Sequence, residues 1–361
     1  MRKFSQFFVL LFASVSLFWA CDPGKDLDPR GRYENGVIVV NEGNFFSANG
    51  NLGFYDLDSN KFVSDIFKRE NNNVGIAATI QNITEYNGKL YIVTNAPNKV
   101  EITDVNTLKS VKTIDTDLQN PYHFAAINNK GYVSNWGTFN NTTFEYDNPS
   151  IKVIDLTTNT INKTIARTVQ PQGLLMFGQN LYIANVGGNT VTVLNTGNDQ
   201  VVTEITVSGA PDRFLTDGNN KIWVMCNSGN LVRINPATNA VEATISNIKS
   251  TGYNAKIAMN TTKTKLYWFE TVDTTIPADF VTDVSYVYEM SITATTAPTT
   301  PLITGTAENY TGIGVNPANG QIYVGMGSFS ANGKVKRYQA NGTFIAEMGS
   351  EGIGPNGFLF R

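Results

Sequence analysis

The chain has 361 residues, with 27 basic and 30 acidic side chains and a single histidine. No basic cluster is present that could track a phosphate backbone, which argues against a nucleic-acid partner. One histidine cannot build a multi-histidine metal site, and the two cysteines have no Cys/His ligand spacing around them, so neither a metal nor a cofactor is expected.

The first twenty residues read as an address. Arg2 and Lys3 precede an apolar run from Phe7 to Ala20. As a helix that run would reach only about 21 Å against a bilayer core of ~30 Å, the pattern of a signal peptide rather than a span. It ends Leu17-Phe18-Trp19-Ala20-Cys21, and a small residue directly before Cys21 resembles a bacterial lipobox. Cleavage there would leave Cys21 to carry lipid, and two or more acyl chains would hold the protein on a membrane. Residues 21–35 then form a tether rich in Pro, Gly and charge. Its acidic start resembles the signal that sends Bacteroidota lipoproteins to the outer face of the outer membrane. Removing Arg2 and Lys3 leaves 25 basic residues against 30 acidic ones, a net charge of −5. With Cys21 lipidated, Cys226 has no disulfide partner, and it is expected in the core.

From residue 36 onward a β-rich unit recurs. Its marker is a short apolar strand, aligned on Ile38, Tyr91, Tyr132, Tyr182, Trp223, Tyr267 and Tyr323, at intervals of 41 to 56 residues. A hairpin with alternating apolar residues follows each marker, as at 99–108, 190–199 and 231–239, and a strand with a polar turn precedes it. Four strands per unit and seven units predict an all-β, seven-bladed β-propeller over residues 36–361. The first unit lacks its preceding strand, and Gly357-Phe358-Leu359-Phe360-Arg361 is a lone strand without a partner. Placing that strand innermost in the first blade closes the ring and removes a free edge.

Strand alternation puts the second-to-third loops and the blade connections on one face, and these are the longer, more varied loops, where function usually sits. They carry Phe45 and Phe46 in the first blade, Trp136 in the third, an acidic segment with Asp273, Asp279, Phe280 and Asp283 in the sixth, and Phe329 in the seventh. The connections add Tyr122, His123, Arg213, Tyr253 and Tyr310. Asn185 is one of several strand-ending asparagines, residues that ordinarily bond loop backbone. Aromatics beside amides and a few charges, gathered round a channel mouth, make a candidate ligand site. No catalytic pair is evident, and the chain is not expected to be an enzyme, although a lactonase-type site assembled from distant residues stays open.

Tyr91-Ile92-Val93-Thr94-Asn95 and Tyr182-Ile183-Ala184-Asn185 resemble the YVTN-type, YncE-like propeller repeat. A narrower resemblance is to Bacteroidota lipoprotein propellers that include cell-surface corrinoid-binding proteins. It rests on Val39-Val40-Asn41-Glu42-Gly43-Asn44-Phe45, Gly53-Phe54-Tyr55-Asp56 and 310–317, where Phe45 stands in place of that group's frequent Trp. The resemblance implies capture of a vitamin B12-type corrinoid above a TonB-dependent outer-membrane transporter. A protein-interaction or adhesion module is the alternative.

Overall fold

The recurring unit is legible first in its outer turn. Asp56, Asp155, Asn195 and Asn235 each accept a hydrogen bond from the backbone N–H two residues on. Each turn then closes on a residue in the left-handed region, Asn60, Asn159, Asp199 or Asn239, with φ between 53° and 57°. Short polar side chains tolerate that conformation and supply the bond. Two of these closing residues also tie neighbouring blades. The Tyr132 hydroxyl donates to Asp199 at 2.8 Å, and the Tyr182 hydroxyl to Asn239 at 2.8 Å.

The protein is described by a computed structural model over residues 31–250, 256–273, 284–328 and 330–361. Seven four-stranded antiparallel sheets stand around one axis. The first strands of successive blades pack on one another around that axis. They are Thr79–Tyr86, Pro121–Ile127, Pro171–Phe177, Pro211–Thr216, Ile257–Met259 and Tyr310–Val315 for blades two to seven. In the first blade the innermost strand is Pro355–Phe360, antiparallel to Gly36–Asn41, as the unpartnered C-terminal segment predicts. Seven apolar clusters fill the interfaces between adjacent blades. The last of them joins Val37, Val39 and Phe358 of the first blade to Tyr323 and Val335 of the seventh.

Each aligned marker from Tyr91 to Tyr323 is buried, and Cys226 is a free, buried thiol whose pKa burial pushes up to about 12. Among the described residues no helix is long and apolar enough to cross a membrane. The chain enters at the end of the channel where the inner strands finish, because the Gly36 N–H bonds the Arg361 carbonyl and the Arg361 guanidinium bonds the carbonyls of Tyr33 and Val105. The opposite end, where the inner strands begin, is the mouth.

Candidate functional site

Almost every inner strand starts irregularly. In blades one to five and seven its pairing with the next strand slips near the first residues. The residues left over are Asn356, Gln81, the pair Tyr122 and His123, Gln172 with Gly173, Asp212, and Thr311. An extra residue in one strand is a β-bulge, which bends the strand and re-aims a side chain. In four blades the residue before the bulge is Pro121, Pro171, Pro211 or Pro355, a placement that costs no ladder bond at a strand start. Lys256 stands directly before the inner strand of the sixth blade.

Polar side chains therefore crowd the mouth end of the channel. The Arg213 guanidinium lies against Nε2 of His123, bridging the fifth and third blades. Burial, and then the neighbouring guanidinium, hold the imidazole well below its usual pKa, so it is neutral and its Nε2 accepts. Arg213 Nε stands 3.4 Å from Asp212 Oδ1. Burial raises the Asp212 carboxyl above the usual range, against the opposing pull of Arg213 and Lys256. Lys256 is lowered to about 8 by burial, and its ammonium donates to the Thr311 carbonyl at 2.9 Å. Glu42 accepts from the side-chain amides of Asn356 at 2.8 Å and Gln81 at 3.3 Å. Gly173 allows the fourth and fifth inner strands to approach closely, since a Cβ there would lie 1.9 Å from the Asp212 carbonyl oxygen. Below this polar layer a cavity of about 220 Å³ reaches Ile83, Phe214, Ile257, Ile313 and Phe358.

Above it, the third blade builds an aromatic wall. Its second-to-third loop folds into a hairpin, Thr138–Asn140 against Glu145–Asp147. Gly137 permits this at φ 95°, where a Cβ would meet the Asp147 carbonyl oxygen at 2.0 Å. Trp136 packs on Tyr122, tilted by 30° with centroids 4.2 Å apart, and takes Tyr146 edge-on at 4.9 Å. Phe139 continues the row at 5.1 Å from Tyr146, with Phe144 6.4 Å further. Exposure grows outward, from 7 % at Tyr122 to 40 % at Phe139 and 77 % at Phe144. On the loop of the first blade, Phe45 and Phe46 form an edge-on pair, 61 % and 94 % exposed.

Of the residues singled out by sequence, Phe45, Phe46, Tyr122, Trp136, His123 and Arg213 reach this face or the mouth. Two do not. Tyr310 is wholly buried, with its ring edge-on to Phe269, and belongs to the core between the sixth and seventh blades. Asn185 is also buried, and its amide donates to the hydroxyls of Thr190 and Thr192, which spends it on its own blade. Tyr253, Phe329, Asp279, Phe280 and Asp283 lie outside the described residues. Glu42, Gln81, Lys256 and Asn356 were missed as site residues. The repeated Pro-polar step at the strand starts was the signal available for Asn356, and it marks Gln172 and Asp212 as well.

Fold and mouth together define a seven-bladed β-propeller with a polar channel entrance and an aromatic face beside it. A family model described as a domain of unknown function, DUF5074, matches residues 35–353, and the chain belongs to that family. No curated protein matches the sequence. Among solved structures, a quinoprotein alcohol dehydrogenase-like protein of Bacteroides thetaiotaomicron is similar at TM-score 0.70 and 16 % identity, over 91 % of this chain and 78 % of that one. A Bacteroides uniformis protein provisionally named a 6-phosphogluconolactonase aligns at TM-score 0.63 and 10 % identity, over 91 % and 100 %. A functionally unknown protein of Desulfotomaculum acetoxidans gives TM-score 0.63 and 10 % identity, over 91 % and 99 %. Likeness at this identity speaks for the fold alone.

Proposed function

We propose that this protein is a lipid-anchored surface protein of the outer membrane that captures a small nutrient, a vitamin B12-type corrinoid foremost, and passes it to a TonB-dependent transporter. The observation that supports this reading is the run of aromatic side chains on the mouth face, from Tyr122 and Trp136 to the exposed Phe139 and Phe144, with Phe45 and Phe46 exposed on the loop of the first blade. Exposed aromatics in such a group suit a broad, flat ligand, and the amides and charges beneath suit its polar fringe. Calorimetric titration with cyanocobalamin and with cobinamide tests it. Truncating a central aromatic anchor typically costs about 2 kcal/mol or more, so Trp136→Ala should weaken binding roughly thirtyfold. No heat with either ligand at micromolar protein would remove corrinoids.

A second reading, hydrolysis of a lactone, has one observation in its favour. The Arg213 guanidinium, held against the neutral imidazole of His123, is suited to hold the oxyanion that forms when a lactone carbonyl is attacked. Turnover of a lactone panel that is lost in His123→Ala would favour it over capture.

A further inference from the structure

The lumen beneath the aromatic wall has a chemistry of its own. Its cavity of about 220 Å³ is lined toward the mouth by Gln81, Asn82, Arg213, Lys256 and Asn356, and deeper in by apolar side chains from five inner strands. A space of this size, polar at one end and apolar at the other, suits a compact organic molecule.

The hydrogen-bonding capacity around this space is uneven. Both oxygens of Glu42 accept from the neutral amides of Gln81 and Asn356, which turns its acceptors to the wall. The cations are less spent. Arg213 Nε is paired with the Asp212 carboxyl at 3.4 Å without a hydrogen bond, and among the described residues the rest of the planar fork meets only the single acceptor of His123. Lys256 gives one of its three donors to the Thr311 carbonyl.

We propose that this lumen binds the carboxylate of a small organic acid, with Arg213 and Lys256 as its cationic anchors. The flat guanidinium fork matches a carboxylate edge, and the lysine adds a point charge from the next blade. A phosphate dianion fits less well, because its second charge would enter a space that already holds Glu42 and Asp212. The apolar layer below receives the body of the acid. This site goes beyond the corrinoid reading and does not use the aromatic wall, so either can fail alone.

The test is titration of the purified full-length protein with benzoate, gluconate and inorganic phosphate. It is followed by calorimetry and by the ring-proton resonances of His123, the only histidine. At least one carboxylate should bind with a Kd of about 1 mM or tighter and shift the His123 signals, since that ring lies against Arg213. Whether benzoate or gluconate binds tells if the body is apolar or hydroxylated. Arg213→Gln should weaken that binding at least ~tenfold, the cost of about one charge-assisted bond, and Trp136→Ala should leave it unchanged. If Arg213→Gln does not fold, Lys256→Met carries the same expectation. The proposal is overturned if neither carboxylate gives heat or moves His123, if phosphate binds more tightly than both, or if a folded anchor variant binds like the parent.

Discussion

His123 shows how one residue's chemistry is set by its neighbours rather than by its type. Enclosure by protein and the adjacent guanidinium both disfavour the imidazolium, so the native pKa lies well below 6.5 while the unfolded chain keeps the ordinary value. The unfolded state therefore binds the extra proton first as pH falls. The stability tied to the neutral ring is complete above pH ~6.5, and falls by up to about 1.4 kcal/mol per unit below it until the native ring protonates. NMR of this single histidine should show a neutral ring as pH falls through the ordinary imidazole range, and an ordinary midpoint near 6.5 would refute the enclosure. His123 and Arg213 were both readable as candidates in the sequence. Their contact was not, because it joins residues 90 apart and passes over an intervening blade.

At the scale of the element, the blade was legible because its signals are local. Alternating strands and Asx turns are written within a few residues, and the marker tyrosines recur at blade length. The bulges were not legible, since a bulge belongs to the pairing of two strands rather than to either one. That is why Gln81 and Asn356 escaped notice while the exposed aromatics of the loops did not. The same logic explains Tyr310, an aromatic at a strand start that turns into the blade interface instead of the mouth. Closure rests on one element, Pro355–Phe360, whose Phe358 and Phe360 rings pack 5.9 and 5.2 Å from Tyr323 of the seventh blade. Deleting residues 357–361 strips the ladder from Gly36–Asn41, removes Phe358 and Phe360, and uncovers Tyr323. That should cost several kcal/mol, seen as a large fall in melting temperature or as loss of soluble protein. A truncated chain that melts with the parent would mean that the first blade does not need this strand.

For the whole molecule, the consequence lies in where the chain enters. Gly36 and Arg361 meet at the end of the channel opposite the polar mouth, and the Arg361 guanidinium clamps the incoming segment by its bond to the Tyr33 carbonyl. If Cys21 holds lipid, the propeller is moored by its underside, and the opening looks outward like a cup on a short line. A transporter in the same membrane would meet the base or the rim of that cup first. Delivery to such a transporter would then require it to tip, with the slack setting how far it could. If the segment between Cys21 and residue 31 behaves as an open chain, its ten or so residues give a root-mean-square reach of about 17 Å. Deleting residues 24–29 should leave ligand affinity in solution untouched and slow uptake by intact cells several-fold. Uptake that ignores the line's length would mean that the cargo leaves the cup by diffusion, with no pouring at all.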